Sequence, residues 1–473
     1  MDGIGRESEV ARLAAAHSAG TRRVTETVEG ALARAEAAQA GFNCFAALDG
    51  ARARAAAADM DARIAAGQTP GPLTGVPVSV KDILDCAGLP TRWGSLLFAE
   101  AQPAASDIAA VSRLRAAGAI IIGKTTTTEF AHSPLGSSPL NGLTLNPFAP
   151  GLTCGGSSSG AGTSVALGVT PVSLATDAGC SSRLPAAATG TYGFKPTLGL
   201  VPHERVPDAF GSFIHLGLIA RSVADIAATL SVIAGPSPAD PWSLRAPPLA
   251  PAAASLEGSR VLLWMRAGNA RVSREVEAAT RVAAQALERL GAEVVEEDYA
   301  LAAPDPIWST LQQTNWALRF ASTSAEDFAR LSPALRAGIE AARGFSALDL
   351  MRAQVARAQL FRGIQAKFAQ YDFILTPCLS APLVAADFDL SEPLVIDGEA
   401  VGPLRAEWTS ALSLFDLSGH PALAVPVGLA ENGGPLAVQL VGRWNADMAL
   451  LSAAAGLAAQ IPAPVCPAAA LSV

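Results

Sequence analysis

The chain has 473 residues, of which 50% are hydrophobic and 16% are charged, and its formal net charge is −8. This composition excludes an intrinsically disordered chain and indicates a large buried core, in one large domain or in two or three ordinary ones. The acidic balance, with no visible basic stripe, argues against nucleic acid as the main partner.

The N-terminal part of the chain shows helical patterns. Apolar residues recur at helical spacing over residues 7–40, which predicts two amphipathic helices, and an Arg- and Ala-rich pattern predicts a third helix over residues 51–66. Thr21 or Thr25 is the expected cap of the second helix, because a hydroxyl can accept a hydrogen bond from the first turn. We expect residues 1–66 to pack as an outer layer on the rest of the protein.

The first candidate for chemistry is Lys81, at the end of a short buried strand predicted over residues 76–80. A lysine in that position could be a desolvated amine, which loses its charge more easily and can then act as a base. Two other interpretations fit this stretch better on its own: a side chain that reaches the surface, or an ion pair with the neighbouring Asp82. The stretch alone therefore assigns Lys81 no catalytic role.

The next segment predicts a helix over residues 107–119 and a second strand over residues 120–122. Strand, helix and strand in this order are typical of parallel α/β architecture, in which ligands bind at the loops that follow the strands. Lys124 follows a glycine in such a loop, but the pattern of a phosphate-binding loop is absent from the sequence. We therefore predict no nucleotide site there.

The stretch from Gly155 to Arg183 holds two turns rich in small residues, with Ser157 in the first turn and Ser181 in the second. Small residues let the backbone bend tightly, approach a ligand and point free N–H groups at an anion. A flexible linker is a poor interpretation, because the first turn runs directly into an apolar segment, residues 165–174, and the turn chemistry then recurs. We predict that the two turns are walls of a reaction centre.

Three functions fit two serines in such turns. The first is a nucleophilic serine with a histidine base, supported only by a short Gly-x-Ser-x-Gly pattern centred on Ser158 and by three later histidines, His203, His215 and His420. The second replaces histidine by a neutral lysine, a role that a buried Lys81 would suit. The third is an anion-binding loop without catalysis. The residues alone leave these alternatives open.

The second half of the chain continues with α/β patterns and shows no internal repeat. Ser222 is the expected cap of a helix over residues 220–234, and the Pro-rich residues 236–251 are the expected linker. Residues 306–370 are expected to be mainly helical. Further strands are predicted over residues 260–265, 293–295, 372–376, 422–427 and 436–441, and further helices over residues 273–290 and 446–459.

The cysteine pattern and the hydropathy of the sequence indicate the cellular compartment of the protein. The six cysteines are scattered without Cys-x-x-Cys spacing, so neither a zinc site nor a disulfide framework is predicted. The apolar runs, such as residues 448–459, are too short to span a bilayer, and the N-terminus lacks the apolar core of a signal peptide. We expect a cytoplasmic protein with reduced thiols and no membrane partner.

Several of these stretches, taken together, resemble the amidase signature family, which consists of serine amidases with a Ser–cis-Ser–Lys triad. Residues 155–160 and 176–183 are similar to the two glycine- and serine-rich elements of the family, and residues 75–82 are similar to its lysine strand. Residues 193–197 and 421–428 follow in the family's order. Several independent elements in one order are far more specific than any single pattern.

The resemblance implies a fold and an activity. The whole chain, residues 1–473, would form one α/β domain with a central mixed twisted sheet covered by helices on both faces. Residues 67–235 would hold the catalytic core, and residues 300–370 would form a helical cap near the substrate entrance. The implied activity is hydrolysis of a small carboxamide or an aryl or acyl amide by water, with neither a metal nor an organic cofactor. A homodimer is a further expectation.

The resemblance also implies residue roles. Ser181 would attack the amide carbonyl and form an acyl-enzyme, Ser157 would relay the proton, and Lys81 would be the final base. The peptide bond between Gly156 and Ser157 would be cis. The backbone N–H groups of Ala178, Gly179, Cys180 and Ser181 would form the oxyanion hole, and Thr128, Ala131 and Ser157 would contact the substrate.

Two positions carry further expectations. Cys180 stands where the family has glycine, and it would be strained if that position required a positive φ. Arg183 is expected to support the loop through backbone carbonyls or Asp177, with binding of a substrate carboxylate as the alternative. Three other functions stay open: a glutaminase-type subunit of a tRNA-dependent amidotransferase, a hydrolase of urea-type or ester substrates, and a binding relative with weakened catalysis.

Overall fold

The structure, a computed structural model, describes residues 8–68, 71–245, 249 and 255–467. Eleven strands of these residues form one sheet, and the other four form two hairpins. In chain order the strands are β1 (Phe45–Leu48), β2 (Pro77–Lys81), β3 (Ile120–Thr125), β4 (Ser137–Ser138), β5 (Gly142–Leu143), β6 (Val172–Asp177), β7 (Tyr192–Lys195), β8 (His215–Ala220), β9 (Arg260–Leu263), β10 (Glu293–Glu296), β11 (Phe373–Pro377), β12 (Pro393–Ile396), β13 (Glu399–Pro403), β14 (Ala422–Leu429) and β15 (Pro435–Gly442).

The central sheet has the strand order β1-β3-β2-β6-β8-β7-β14-β15-β11-β9-β10. Strands β3, β2 and β6 are parallel, as are β11, β9 and β10, which agrees with the predicted parallel architecture. The strands between these two groups are antiparallel. Strands β14 and β15, for example, are joined only by residues 430–434, which suffice for a hairpin but not for a parallel crossover. The sheet is therefore mixed, which confirms the central mixed sheet that the resemblance implied.

Alternate side chains of the strands enter two cores, one on each face of the sheet. In β3, Ile121 lies in one core, whereas Ile120 and Ile122 lie in the other. Helices cover both faces, as the resemblance implied. On the Ile121 face they are α1 (Glu9–Ser18), α4 (Ala109–Ala116), α7 (Val223–Ile233), α8 (Arg274–Arg289) and α15 (Asp447–Gln460). The remaining helices are α2 (Val24–Phe42), α3 (Gly50–Ala65), α5 (Ser159–Ala166), α6 (Arg183–Ala188), α9 (Pro304–Arg319), α10 (Ala325–Ala329), α11 (Pro333–Ala342), α12 (Ala347–Lys367), α13 (Leu404–Trp408) and α14 (Ser410–Ser418).

The two predicted helix caps have different outcomes. Ser222 precedes α7, and its hydroxyl accepts a hydrogen bond from the first turn at 3.1 Å, so this cap is confirmed. Neither Thr21 nor Thr25 caps α2. The carboxylate of Asp61, on α3, accepts hydrogen bonds from the first turn of α2 instead, including that of the Val24 N–H at 2.7 Å. A tertiary contact has therefore replaced the local cap.

The remaining differences are local. Residues 165–174 are almost entirely buried, as expected of an apolar segment, but they form two elements, because α5 ends at Ala166 and β6 begins at Val172. The predicted linker, residues 236–251, lies partly outside the described residues, which omit 246–248 and 250–254. Within the part of the chain that the structure describes, no helix is both long and apolar enough to cross a membrane.

Candidate active site

Lys81 lies at an edge of the sheet where parallel strands end. Strand β2 ends at Lys81, and its neighbour β6 ends one residue after Thr176. The Nζ atom of Lys81 lies 2.7 Å from Oγ of Ser157 and 2.9 Å from Oγ1 of Thr176, and the side chain is fully buried. Both structural interpretations of Lys81 are therefore wrong, because it does not reach the surface and Asp82 pairs instead with Lys124 at 3.1 Å.

Burial sets the protonation of Lys81. Loss of water around the amine lowers the pKa of Lys81 to about 7, although the nearby charge of Asp177 partly opposes this effect. An ordinary lysine has a pKa of about 10.4 and is almost fully charged at neutral pH. A large share of Lys81 is thus neutral near that pH, and its lone pair can accept a proton from the Ser157 hydroxyl.

Glycines bring the first small-residue turn close to its neighbours. A Cβ atom on Gly156 would lie only 2.4 Å from the carbonyl oxygen of Ser133, so no larger residue fits there. The peptide bond between Gly156 and Ser157 is cis, as the resemblance implied. The N–H of Thr128 donates a hydrogen bond to the Ser157 carbonyl at 3.3 Å, which ties this turn to the loop after β3.

A buried carboxylate holds the second turn. The two oxygens of Asp177 accept hydrogen bonds from the N–H groups of Ser181 at 2.6 Å, Ser182 at 3.1 Å and Arg183 at 3.3 Å. Burial by itself would raise the pKa of Asp177, but Arg183 and these bonds hold that pKa below its usual value, so the group stays charged. Of the four N–H groups predicted to form the oxyanion hole, that of Ser181 is therefore already paired with Asp177.

The three residues before Ser181 have their N–H groups free, and two of them have their carbonyl groups anchored by side chains. The indole N–H of Trp308 donates to the Ala178 carbonyl at 2.6 Å, and the hydroxyl of Ser413 donates to the Gly179 carbonyl at 3.0 Å. Among the described residues, no hydrogen bond uses the N–H of Ala178, Gly179 or Cys180. These three donors are available to a developing oxyanion.

The two small-residue turns contact each other. The N–H of Ser158 donates a hydrogen bond to the Ser181 carbonyl at 3.3 Å. In the described part of the chain, no hydrogen bond joins the hydroxyls of Ser157 and Ser181. The arrangement therefore contains a direct Lys81–Ser157 contact, with Ser181 in the adjoining turn.

Ser181 and the loop from Ala178 to Cys180 line a pocket with aromatic walls. Ala131, one of the predicted substrate contacts, also lines this pocket, whereas Thr128 and Ser157 lie outside its lining. The Thr128 hydroxyl instead bonds the backbone of the loop after it at 3.3 Å. The aromatic side chains of the walls are Trp93, Phe130, Trp308 and Trp316.

Comparison with known proteins assigns this arrangement to a family. The chain matches the Amidase family over residues 26–451, which is most of its length. The chain belongs to the amidase signature family. It is similar to an acylamidase from Rhodococcus erythropolis, with 29% identity over 92% of both chains. It is also similar to a glutamyl-tRNA(Gln) amidotransferase subunit from Anaeromyxobacter sp. (strain K), with 36% identity over 93% of this chain and 94% of the relative.

Solved structures agree with the family assignment. A bacterial aryl acylamidase belonging to the amidase signature enzymes has a TM-score of 0.89 to this chain, with 28% identity and 97% of both chains covered. The protein is therefore an enzyme of the amidase signature family that hydrolyses amide carbon–nitrogen bonds.

Cys180, where the amidase signature family has glycine, fits without backbone strain. It is not among the described non-glycine residues with positive φ. Its side chain is buried, with Sγ 3.8 Å from the Gly156 carbonyl oxygen, and burial raises the pKa of the thiol to about 11. The condition for strain at this position is therefore not met, and the thiol is an uncharged packing group.

Arg183 supports the loop, as predicted. Its buried guanidinium donates hydrogen bonds to Asp177 at 2.8 Å, to Asp416 at 2.5 Å and to the carbonyl of Leu412 at 3.0 Å. These bonds join the start of α6 to α14. Arg183 does not line the pocket, so it is not placed to bind a substrate carboxylate.

The histidine alternative has no support in this arrangement. The Ser158 hydroxyl bonds the Thr176 carbonyl at 3.4 Å and, among the described residues, no histidine. His420 is buried and its Nδ1 lies 3.0 Å from the Ser418 hydroxyl, while His215 lies 3.3 Å from Nζ of Lys195. Both histidines are structural. His203 lines the pocket, but its buried Nδ1 has no hydrogen-bond partner among the described residues, so it contacts neither Ser158 nor Ser181 through that atom.

Helix α9 lies within residues 300–370, where a helical cap was expected, but sequence reasoning did not name the residues of α9 that form a wall of the pocket. Trp308, Gln312, Asn315, Trp316 and Arg319 all line the pocket. Their spacing places them on one face of a helix, because residues three, four, seven and eight positions apart share a face. This spacing predicts that the five residues share one helix face, but it does not predict which part of the protein that face contacts.

Proposed function

We propose that the enzyme hydrolyses amides through an acyl-enzyme on Ser181, with Ser157 as proton relay and Lys81 as base. The observation that supports this most strongly is the 2.7 Å approach of Lys81 Nζ to Ser157 Oγ inside a buried environment, which favours the neutral amine. Ser157 lies in the turn that contacts the turn of Ser181.

Protons and bonds balance over two half-reactions. Ser181 Oγ bonds to the amide carbon and gives its proton to Ser157, whose own proton passes to Lys81. Lys81 returns a proton through Ser157 to the amide nitrogen, the carbon–nitrogen bond breaks, and the amine leaves. A water oxygen then bonds to the ester carbon and its proton follows the same route. The ester bond breaks, Ser181 regains a proton, and the acid leaves.

Both half-reactions place negative charge on the substrate oxygen. We assign its stabilisation to the N–H groups of Ala178, Gly179 and Cys180, whose donors are unpaired among the described residues. One such donor contributes about 3 kcal/mol to the stability of a transition state. The bonds from Trp308 and Ser413 to the carbonyl groups keep these donors fixed before the substrate arrives.

The pocket suits a small carboxamide or an aryl or acyl amide. Ala131 and the neighbouring Phe130 would contact the acyl part, and Thr128 would hold their loop in place. Residues 300–370 would form the cap over the entrance, since helix α9 already supplies one wall of the pocket.

The test is turnover combined with detection of the covalent intermediate. Amides, esters and urea-type compounds of graded size are incubated with the purified enzyme, and release of ammonia, amine or alcohol is measured. Mass spectrometry of the quenched reaction should show an acyl group on the peptide that contains Ser181. Turnover with the acyl group on another residue would contradict the proposal, as would the absence of turnover across all three classes.

A second candidate is the glutaminase component of a tRNA-dependent amidotransferase. The observation in its favour is the 36% identity to the amidotransferase subunit from Anaeromyxobacter. A protein with this role should co-purify with partner proteins, bind tRNA with them and turn over simple amides poorly. A protein that purifies alone and hydrolyses simple amides rapidly would exclude this candidate.

Two proposals concern the protein in the cell. We propose a cytoplasmic location, because Cys44, Cys86, Cys154, Cys180 and Cys378 are buried thiols outside any disulfide, which suits a reducing compartment. We also propose a homodimer as the working state. Fractionation of the native host tests the location, and sedimentation of the purified enzyme tests the dimer.

A further inference from the structure

The charged side chains that line the pocket are all basic. They are Arg205, Arg319 and Arg405, and no aspartate or glutamate belongs to the lining. His132, also in the lining, is neutral at pH 7 because burial lowers its pKa to about 4. The protein as a whole has a net charge of −8, so the pocket differs in sign from the rest of the molecule. A cleft lined by one sign of charge attracts ligands of the other sign.

Two of the three arginines have acidic neighbours outside the lining. Arg205 lies 3.4 Å from a carboxylate oxygen of Asp85, and Arg405 lies 3.7 Å from one of Asp305. These carboxylates offset part of the charge that the two arginines would present to a ligand.

Arg319 differs because it has no counter-ion in the described part of the chain. It stacks on aromatic rings, as does Arg405, whose guanidinium carbon lies 3.1 Å from the ring centre of Trp308. The guanidinium carbon of Arg319 lies 4.4 Å from the ring centre of Trp93 and 4.9 Å from that of Phe130. Among the described residues, its side chain makes no hydrogen bond and no ion pair. Stacking uses the flat face of the guanidinium and leaves the N–H groups along its edge free for a planar acceptor such as a carboxylate.

A neighbouring acceptor on this wall also lacks a partner in the described part of the chain, and it would bind a donor group of the ligand rather than its carboxylate. Gln312, two turns earlier on the pocket face of α9, is only 8% exposed, and its Oε1 has no partner among the described residues. Burial of an unpaired polar atom is costly unless a ligand or water satisfies it. The lining near Arg319 thus combines aromatic surface with unpaired polar atoms.

We propose that the preferred substrate is an amide whose aromatic or acyl part carries a carboxylate, and that Arg319 binds this carboxylate against Trp93 and Phe130. This inference rests on the proposed function. A purely structural role is the alternative, because an arginine in the last turn of α9 also stabilises the helix dipole. Only carboxylate recognition makes turnover depend on the charge of the substrate.

The test compares two amides of equal shape, para-carboxyphenylacetamide and its neutral isostere para-nitrophenylacetamide. The wild type should prefer the carboxylate by about tenfold or more in kcat/KM, mainly through KM, and added salt should reduce this preference. Arg319→Gln should remove the preference, because it should lower kcat/KM for the carboxylate about tenfold more than for the nitro compound. Arg319→Lys should keep part of the preference, because the charge remains.

Arg343→Gln is the matched control. Arg343 also stacks on an aromatic ring, 5.0 Å from the centre of Phe328, but it does not line the pocket. This variant should keep the full preference. The inference is overturned if the wild type treats both amides alike, if the preference survives in Arg319→Gln, or if that variant slows both amides equally. Absence of any turnover together with absence of a Ser181 adduct would overturn the proposed function itself, and this inference with it.

Discussion

Two buried lysines of this enzyme have the same pKa and different surroundings. Burial lowers the pKa of Lys81 and of Lys195 to about 7 in each case. Lys81 contacts the hydroxyls of Ser157 and Thr176. Lys195 donates instead to the carbonyl of His420 at 2.5 Å. A carbonyl has no proton to give, so a lowered pKa makes a lysine a base only where a hydroxyl stands beside it.

The two lysines also contact different groups of buried residues. Lys195 packs with the buried charges of Arg183, Asp177 and Asp416, which hold the loop that ends at Ser181. Lys81 instead contacts the hydroxyl of Ser157. In the proposed mechanism, one region positions the nucleophile and the other moves protons. Substitutions in the two regions should therefore fail in different ways.

Loss of the nucleophile should have the largest effect. Ser181→Ala should lower kcat by about 10⁴-fold or more, because no hydroxyl remains to form the ester. The matched control is Ser182→Ala, since the Ser182 hydroxyl has no hydrogen-bond partner in the described part of the chain. Steady-state release of ammonia from a simple carboxamide measures both. Equal losses in the two variants would contradict the assignment of Ser181.

Loss of the base should come next. Lys81→Met should lower kcat by about 10³-fold or more while circular dichroism and the melting temperature show a folded protein, because methionine fills the apolar part of the site without accepting a proton. Activity within tenfold of the wild-type value would exclude Lys81 as the base.

The pH profile should follow the protonation of Lys81. Only the neutral amine accepts a proton, so kcat/KM should rise about tenfold per pH unit below about 7 and level off above it. Initial rates from pH 5 to 9, in buffers of constant ionic strength, measure this profile. A rate that falls as the pH rises through 7 would require an acid in place of the base.

Replacement of the second lysine should affect stability more than chemistry. Lys195→Met leaves the His420 carbonyl without its donor and removes a positive charge near Asp416, which costs about 1–3 kcal/mol of unfolding free energy. The remaining folded enzyme should keep the pH profile of the wild type. Thermal melts test the loss of stability, and the same rate series tests the pH profile. A pH profile shifted from that of the wild type would contradict the assignment of a purely structural role to Lys195.

The smallest effect is expected at Cys180. Cys180→Gly restores the family's residue and removes a buried thiol, which should lower the unfolding free energy by about 1–2 kcal/mol and leave kcat within about threefold of the wild-type value. The N–H donor stays in place in either case. A gain of tenfold or more in kcat would show that the thiol distorts the oxyanion loop.

The sequence predicted the elements that carry the candidate site better than it predicted the contacts between those elements. The strand before Lys81 and the two small-residue turns follow from local patterns, and the resemblance linked them. Local patterns could not show that Lys81 meets Ser157, 76 positions along the chain, rather than Asp82 beside it. They also could not show that Trp308 anchors Ala178, because long-range packing brings α9 to the loop.

The most direct test of the account is the rate at which a fluorophosphonate probe labels Ser181, measured as a function of pH in the wild type and in Lys81→Met. A neutral Lys81 that acts through Ser157 predicts a wild-type rate that rises with pH through about 7, and a rate lower by about 10³-fold without this pH dependence in the variant. Labelling of Lys81→Met at the wild-type rate, with the same pH dependence, would contradict the account.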